Sequence, residues 1–172
     1  MLEKVGTYYY FFPTYKQGKK ILWNGIDKNG FKFLDHIPKE LRVRTDNTEM
    51  LIELKNGSIF QIIGTDNVDS IVGTNAIGCI FSEYALQNPI AWGYIRPILA
   101  ENGGWAVFNY TSRGKNHGYD LKNYAEKNGK WFLQILPATE TGVFTETQLK
   151  EEREQYILED GDDLRFQIGR AH

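Results

Sequence analysis

The sequence predicts an α/β protein with a largely parallel β-sheet flanked by helices. Along the 172 residues, apolar and aromatic runs that are typical of strands alternate with segments of helical spacing. One hairpin signal interrupts this alternation. The composition provides the material for a core, because 10 Tyr, 10 Phe and 4 Trp supply large flat side chains.

The first strand is predicted at residues 7–12. This run contains one Thr, three Tyr and two Phe and is stopped by Pro13, a pattern that is typical of a strand buried on both faces. Residues 15–26 follow with apolar side chains at helical spacing, so we expect a helix there. Gly18 lies inside this segment and weakens its helical propensity.

A β-hairpin is predicted at residues 50–63. Its centre is Asn56-Gly57 between apolar arms, and this pair suits a tight turn that needs positive φ at both positions. The other elements are predicted from apolar runs, caps and Gly or Pro boundaries. They are strands at 41–44, 78–83, 105–109 and 131–136, helices at 89–102, 116–126 and 145–158, and a loop with one helical turn at 66–73.

Charge and cysteine content exclude several classes of protein. Lys and Arg number 20 and Asp and Glu 22, so the net charge of −2 provides no overall attraction for nucleic acid. The one cysteine, Cys79, excludes an intramolecular disulfide and a Cys-rich zinc site, and it suits a reducing compartment. No apolar run reaches the roughly 18 residues that a membrane span needs.

Polar side chains follow three of the predicted central strands. Pro13-Thr-Tyr-Lys-Gln comes after the first, Ser82-Glu83 ends the strand at 78–83, and Asn109-Tyr-Thr-Ser-Arg-Gly ends the strand at 105–109. Ligands of parallel α/β sheets bind beyond the carboxyl ends of the strands, so these groups are the candidate site. An apolar strand that ends in an acidic residue has the Walker B arrangement, in which a carboxylate polarises the attacking water.

The same residues allow a second chemistry. Ser82 could act as a nucleophile with His117 as its base, although Ile80 and Tyr84 stand where a Gly-x-Ser-x-Gly elbow has glycine. The three histidines have no second ligand at metal spacing, and the acidic run at residues 159–163 is too short for an EF-hand loop.

A phosphate-binding loop of the form G-x-x-x-x-G-K-[ST] is absent from the sequence. Gly18-Lys19 has Pro13 where the first glycine belongs and Lys20 after the lysine. Gly114-Lys115 likewise lacks the first glycine and the hydroxyl residue.

Four segments follow one another in a characteristic order. They are Tyr-Phe-Phe-Pro-Thr-Tyr-Lys-Gln at 10–17, Gly-Thr-Asp-Asn-Val-Asp-Ser-Ile-Val-Gly at 64–73, Ile-Phe-Ser-Glu-Tyr-Ala at 80–85 and Asn-Tyr-Thr-Ser-Arg-Gly-Lys-Asn-His at 109–117. Taken in this order, they resemble the ATPase domain of the large terminase subunit, the DNA-packaging motor of tailed bacteriophages. The resemblance covers residues 5–166, nearly the whole chain.

The resemblance implies a P-loop NTPase core of the ASCE or RecA-like type with a β-hairpin insertion. It places the Walker B motif at residues 79–83, with Glu83 as the catalytic carboxylate. Ser82 stands where an Asp usually assists Mg²⁺ through water. Asn109, Thr111 and Ser112 fall at the coupling motif, which senses the γ-phosphate. The implied cofactors of the intact protein are ATP and Mg²⁺.

The chain also departs from the family. The Walker A strand and loop lie upstream of the first matching segment, and the nuclease domain that follows in the family is missing. We therefore expect a partial ATPase domain at residues 1–167, without the first P-loop strand, and a tail at 168–172. Such a fragment alone is expected to bind no cofactor and to be inactive.

The resemblance also implies partners and a location. In the intact motor they are double-stranded DNA, the small terminase subunit and the portal, in the host cytoplasm and away from membranes. We expect the sheet edge exposed by the missing strand to be hidden by self-association or by the hairpin. The alternative is a catalytically silent α/β module that binds protein or DNA. Candidate DNA contacts are Lys16, Lys19, Lys20, Arg113 and Lys115.

Overall fold

The computed structural model describes residues 3–160. The chain divides into two compact units, Met1–Asn109 and Tyr110–His172, and each is described by itself. The predicted tail at 168–172 lies outside the described residues. None of the helices within residues 3–160 is long and apolar enough to cross a lipid bilayer.

The first unit contains a six-stranded mixed sheet in the order β2-β3-β4-β1-β5-β6. The strands β4, β1, β5 and β6 run parallel, and β3 and β2 continue the sheet antiparallel beyond β4. The predicted α/β class with a largely parallel sheet is thereby confirmed. The strand bounds are β1 Thr7–Phe12, β2 Arg42–Asp46, β3 Leu51–Leu54, β4 Ile59–Gly64, β5 Ala76–Ser82 and β6 Trp105–Asn109.

The predicted hairpin is formed by β3 and β4. Gly57 has a φ of 85°, and Leu54 N–H donates to the carbonyl oxygen of Ser58 at 2.8 Å to close the turn. The side chain of Asn56 accepts from Ser58 N–H at 3.0 Å. The hairpin and its position are therefore confirmed, but the predicted turn geometry is only half right. Gly57 has positive φ, whereas Asn56 is not among the non-glycine residues with positive φ, and its side chain instead caps the turn through Ser58 N–H.

A helical segment follows β1 and packs on one face of the sheet. It is α-helical over Tyr15–Gly18 (α1) and continues as a π-helix over Lys19–Trp23. The segment ends before the predicted residue 26, because Ile26 forms an antiparallel bridge with Lys32 instead. Glycine is needed at position 18, since a Cβ there would come within 2.7 Å of Ile62 on β4.

The core has two faces, because neighbouring residues of a strand point to opposite sides of the sheet. On one face Phe11 of β1, Phe81 of β5 and Phe108 of β6 stack at centroid distances of 4.7 and 4.8 Å, and we call these three rings the phenylalanine ladder. Helix α2, Ile90–Asn102, covers this face. On the other face the buried core consists of Phe12, Trp23, Met50, Ile52, Leu54 and Ile62.

Strand β6 forms one edge of the sheet. Within residues 3–160 its only paired neighbour is β5. Trp105 and Val107 alternate along β6 and are 47% and 49% exposed. The strand carries no proline or charge that would protect the edge. The hairpin does not cover β6, because β4 pairs with β1 on the opposite side of the sheet.

The second unit is mainly helical in its described part. Helix α3, His117–Lys127, is capped by Asn116, and helix α4 spans Glu146–Asp160. At the start of α4 the Thr145 hydroxyl accepts from Gln148 N–H at 3.3 Å and the Gln148 side chain accepts from Thr145 N–H at 2.9 Å. This is the reciprocal capping box that the sequence predicted.

The prediction of a strand at residues 131–136 is wrong. This apolar run forms no strand, and Phe132 is 87% exposed. Leu133, Ile135 and Leu136 are exposed as well. Its β-propensity has no effect here because a strand needs a hydrogen-bonded neighbour, and the described part of the second unit contains none.

Candidate functional site

The carboxyl ends of four parallel strands come together at one edge of the sheet. The register pairs Phe12 of β1 with Gly64 of β4, and Ser82 of β5 with Asn109 of β6. Because these ends lie level with one another, the polar residues that follow them share one rim, which we call the carboxyl rim. The predicted site residues Ser82, Glu83 and Asn109 are therefore brought to the same place.

Glu83 has an unusual backbone at this rim. It directly follows β5 with φ 56° and ψ 42°, in the left-handed region that non-glycine residues rarely adopt. Met50 is the other non-glycine residue with positive φ among residues 3–160. Strain of this kind costs on the order of 1 kcal/mol and is concentrated at functional sites. The turn carries the half-buried Glu83 out of the strand direction at the point where β5 ends.

Two residues after β4 tie that strand to the end of β1. Thr65 N–H donates to the carbonyl oxygen of Phe12 at 2.8 Å, and the Asp66 carboxylate accepts from Tyr15 N–H at 3.2 Å. Gly64 allows this approach, because a Cβ there would lie 2.1 Å from the Tyr15 nitrogen. The segment that begins at Gly64 thus shapes the rim beside the first helical turn.

Gln87 makes the corresponding link between β1 and β5. Its side chain is 3% exposed, and its Nε2 donates to the carbonyl oxygens of Ser82 at 2.8 Å and Phe11 at 3.0 Å. The sequence offered no signal for this role, since a glutamine before Asn88-Pro89 resembles ordinary loop composition. Gln87 is therefore absent from the residues predicted for the site.

Two residues of β5 that precede Glu83 are shielded from solvent. Cys79 is completely buried, and burial raises the pKa of its thiol from 9.0 to about 12. The thiol is therefore protonated at neutral pH and is not a nucleophile or a metal ligand there. Ser82 is 8% exposed, so its hydroxyl is close to the rim but largely covered.

The remaining candidates fall in the second unit. Thr111 is exposed and Ser112 is half-buried, and both come shortly after β6. Their position relative to Glu83, like that of His117 relative to Ser82, stays a prediction. Arg113 and Lys115 are exposed.

The lysines of the first helical segment surround a shallow groove that Tyr15 and Asn24 also line. Lys19 is held in place: its Nζ donates to the Tyr15 hydroxyl at 3.0 Å and to the carbonyl oxygen of Asn47 at 2.9 Å. Lys16 and Lys20 are exposed. Of the three, these two are the better placed to meet an anion from solvent.

The rim fits part of what ATP and Mg²⁺ require. Glu83 and Ser82 provide a carboxylate and a hydroxyl, which are oxygen donors suited to the water shell of Mg²⁺. The sequence contains no phosphate-binding loop, so the lysine and backbone amides that hold the phosphates are not supplied by these 172 residues. Within residues 3–160 no cluster of three or more His, Cys, Asp or Glu side chains could hold a metal ion directly.

Comparison with solved structures shows the class of fold: this chain has the α/β fold of ATPase domains from phage large terminases. The chain is similar to the ATPase domain of the large terminase of Thermus phage P74-26, with a TM-score of 0.64 and 18% identity over 98% of this chain and 76% of that one. A point mutant of that ATPase domain, in which an arginine is replaced by alanine, gives a TM-score of 0.58 and 18% identity over 94% and 74%.

A third similar structure is the large terminase of another thermophilic bacteriophage. The TM-score is 0.59 and the identity 16%, over 89% of this chain and 38% of that one. No protein-family model matches the sequence. No curated protein sequence matches it either. The structural comparisons confirm the predicted fold, that of phage large-terminase ATPase domains.

Proposed function

We propose that this chain is the Walker B part of a phage DNA-packaging ATPase, a terminase large subunit that couples ATP hydrolysis to movement of double-stranded DNA into a procapsid. The observation that supports the proposal is the strained Glu83 turn at the end of β5, in a fold shared with large-terminase ATPase domains. The proposed role of the Glu83 carboxylate is to orient the attacking water and accept its proton.

The other rim residues have supporting roles in this proposal. Ser82 would contact the water shell of Mg²⁺, and Asn109, Thr111 and Ser112 would sense the γ-phosphate and transmit its loss. The proposed reaction also needs a phosphate-binding loop, which these 172 residues do not contain. By itself the 172-residue chain is then expected to hydrolyse no ATP, because nothing in its sequence holds the β- and γ-phosphates.

ATP hydrolysis by the full-length gene product tests the catalytic role. Glu83→Gln keeps the size of the side chain and removes the base, so we expect kcat to fall about 100-fold or more. Glu101→Gln, on an exposed position of α2, is the matched control and should leave kcat unchanged. Equal rates for wild type and Glu83→Gln would remove Glu83 from the mechanism.

The proposed DNA contacts are the exposed cations Lys16, Lys20, Arg113 and Lys115, with Lys19 contributing less because it is already engaged. In the full-length protein, Lys16→Glu with Lys20→Glu should weaken double-stranded DNA binding and reduce its salt dependence. The same exchange at the exposed Lys39 and Lys55 is the control. If both pairs have the same effect, only net charge matters and the specific contacts are disproved.

Self-association of the isolated chain would use the edge of β6, where a second copy of the strand can pair. Sedimentation velocity of the 172-residue chain tests this. Val107→Lys should shift the protein toward monomer, whereas Val72→Lys, on an exposed loop valine, should not. A wild-type chain that stays monomeric at high concentration would contradict the idea. The small terminase subunit, the portal and the host cytoplasm remain proposals that rest on the packaging function.

The alternative function is a catalytically silent α/β module that binds protein or DNA. The missing phosphate-binding loop favours it for the chain acting alone. The assay of the full-length gene product separates the two proposals, since a silent module predicts no ATP hydrolysis by that protein.

A further inference from the structure

We infer that Gln87 is a positioning residue for Glu83, and this inference rests on the proposed ATPase function. The Gln87 side-chain amide joins the ends of β1 and β5 and thereby holds the turn that presents the Glu83 carboxylate. Gln87 has no role in the predicted motifs, and its contacts became visible only in the folded chain.

The amide of Gln87 has one orientation that fits its surroundings. Nε2 carries two N–H donors, and the two groups it contacts, the carbonyls of Phe11 and Ser82, are acceptors only. If the amide were turned over, its oxygen would face two carbonyl oxygens and both bonds would be lost. The side chain is 3% exposed, so water cannot replace those bonds easily.

These bonds control the backbone on the amino side of Glu83. The Ser82 carbonyl belongs to the peptide group that precedes the Glu83 nitrogen, so holding this oxygen holds the plane from which the Glu83 φ is measured. The bond to Phe11 anchors the same amide to β1, whose Phe11 is the register partner of Phe81. Gln87 therefore ties the Ser82 peptide to the rigid centre of the sheet.

The carboxyl side of Glu83 is held by the same short segment. The Glu83 carbonyl accepts from Leu86 N–H at 2.8 Å, and Gln87 N–H donates to the Tyr84 carbonyl at 3.0 Å. Both peptide groups that flank the Glu83 Cα are thus fixed, one by the Gln87 side chain and one by the backbone turn. A residue held on both sides can keep the left-handed φ of 56° that it would otherwise leave.

The side-chain oxygen of Gln87 indicates that fold stability alone does not explain why a glutamine stands at this position. Its Oε1 is buried and has no hydrogen-bond partner within the described residues. An unpaired buried acceptor costs stability, which offsets part of what the two Nε2 bonds contribute. Replacing Gln87 by the apolar, similarly sized Met removes the unpaired Oε1 but also leaves the carbonyls of Phe11 and Ser82 without this donor. We therefore expect a moderate loss of stability in a chain that still folds, and a large change at Glu83.

A double-mutant cycle on ATP hydrolysis by the full-length protein tests the inference. The variants are Gln87→Met, Glu83→Gln and the double mutant, with Gln61→Met as the matched control, whose amide donates to the Glu49 carbonyl in the hairpin. We expect Gln87→Met to lower kcat roughly tenfold or more with the KM for ATP unchanged. In the Glu83→Gln background, Gln87→Met should cause no further loss, because the group it positions is gone.

Several results would overturn the inference. One such result is a Gln87→Met variant that folds and keeps the wild-type kcat. Another is an equal loss of kcat when Gln87→Met is made in the wild type and in Glu83→Gln, because a purely structural role would lower kcat in both proteins. If Gln87→Met unfolds, Gln87→Asn, which keeps an amide on a shorter side chain, is taken through the same cycle and judged by the same outcomes. A fully active Glu83→Gln would instead overturn the proposed function, so the two failures are distinguishable.

Discussion

Phe81 and Phe108 stack face to face, with ring centroids 4.8 Å apart and ring planes 9° from parallel. They are register partners on β5 and β6, one residue before each strand reaches the carboxyl rim. Trp92 of α2 packs edge-on against both rings, at 5.8 Å from Phe81 and 5.0 Å from Phe108. The rim is therefore built on a packed aromatic platform.

This platform predicts a large loss of stability when its central ring is removed. Phe81→Ala leaves a cavity at a completely buried site, and we expect the free energy of unfolding to fall by about 3–5 kcal/mol. Phe132→Ala is the matched control, because this ring is 87% exposed and should change stability by less than about 0.5 kcal/mol. Urea unfolding, monitored by circular dichroism, measures both variants. Comparable losses of stability would show that the Phe81 ring does not support the rim as proposed.

The backbone of Glu83 predicts that glycine is tolerated better than alanine at position 83. Any Cβ keeps the left-handed strain, whereas glycine relieves it, so Glu83→Gly should be more stable than Glu83→Ala by about 1 kcal/mol. At Glu101 in α2 the order should reverse by a similar amount, because glycine weakens a helix. Urea midpoints of the four variants decide the matter, and the same order at both sites would rule out strain at Glu83.

Gly64 predicts a steric requirement at the rim. In Gly64→Ala the new Cβ would lie 2.1 Å from the Tyr15 backbone nitrogen, so the contact between β4 and the first helical turn must open. We expect a loss of roughly 1–3 kcal/mol in the free energy of unfolding. Gly93→Ala, in α2 with nothing near its Cβ position, should instead gain about 0.5–1 kcal/mol. Thermal and urea unfolding would detect these opposite signs, and a neutral Gly64→Ala would refute the close approach.

The buried thiol of Cys79 predicts a loss of stability at alkaline pH. Its pKa is raised from 9.0 to about 12 in the folded chain, so the unfolded chain loses this proton first as the pH rises. The contribution of the protonated Cys79 thiol to the free energy of unfolding is complete below pH 9 and declines progressively toward pH 12. Burial also raises the pKa of Tyr9 on the neighbouring strand, which acts in the same direction.

Comparing Cys79→Ala with wild type separates the thiol from Tyr9. Between pH 8 and about pH 10.5 the wild type should lose roughly 1–2 kcal/mol more in unfolding free energy than Cys79→Ala, which has no thiol to titrate. Urea unfolding at the two pH values measures this difference. If the unfolding free energies of both proteins fall by the same amount, burial does not raise the pKa of the thiol.

Local chemistry explains what could be predicted from the sequence. The run at residues 7–12 has no charge and is stopped by Pro13, so it identifies β1 without knowledge of its neighbours. Gly57 supplies the positive φ of the hairpin turn and Asn56 a local side-chain hydrogen bond, and both follow from residues adjacent in sequence. The run at 131–136 has the same kind of composition but forms no strand, because pairing depends on a partner that is remote in sequence.

The candidate site was predictable to the same limited extent. Ser82-Glu83 stands out because an apolar strand ends abruptly in polar residues. The left-handed backbone of Glu83 could not be foreseen, because glutamate has no preference for that region. Gln87 acts through a bond to Phe11, 76 residues away in sequence, and no local pattern encodes such a contact.

The exposed edge of β6 gives the protein an intrinsic optical reporter. The Trp105 indole is 47% exposed at the first position of that strand, whereas Trp23 is buried in the core at 4%. Any strand that docks along β6 would shield Trp105 from water, so its fluorescence would shift to shorter wavelength and resist quenching by iodide. Occupancy of this edge can therefore be followed in solution without attaching a dye.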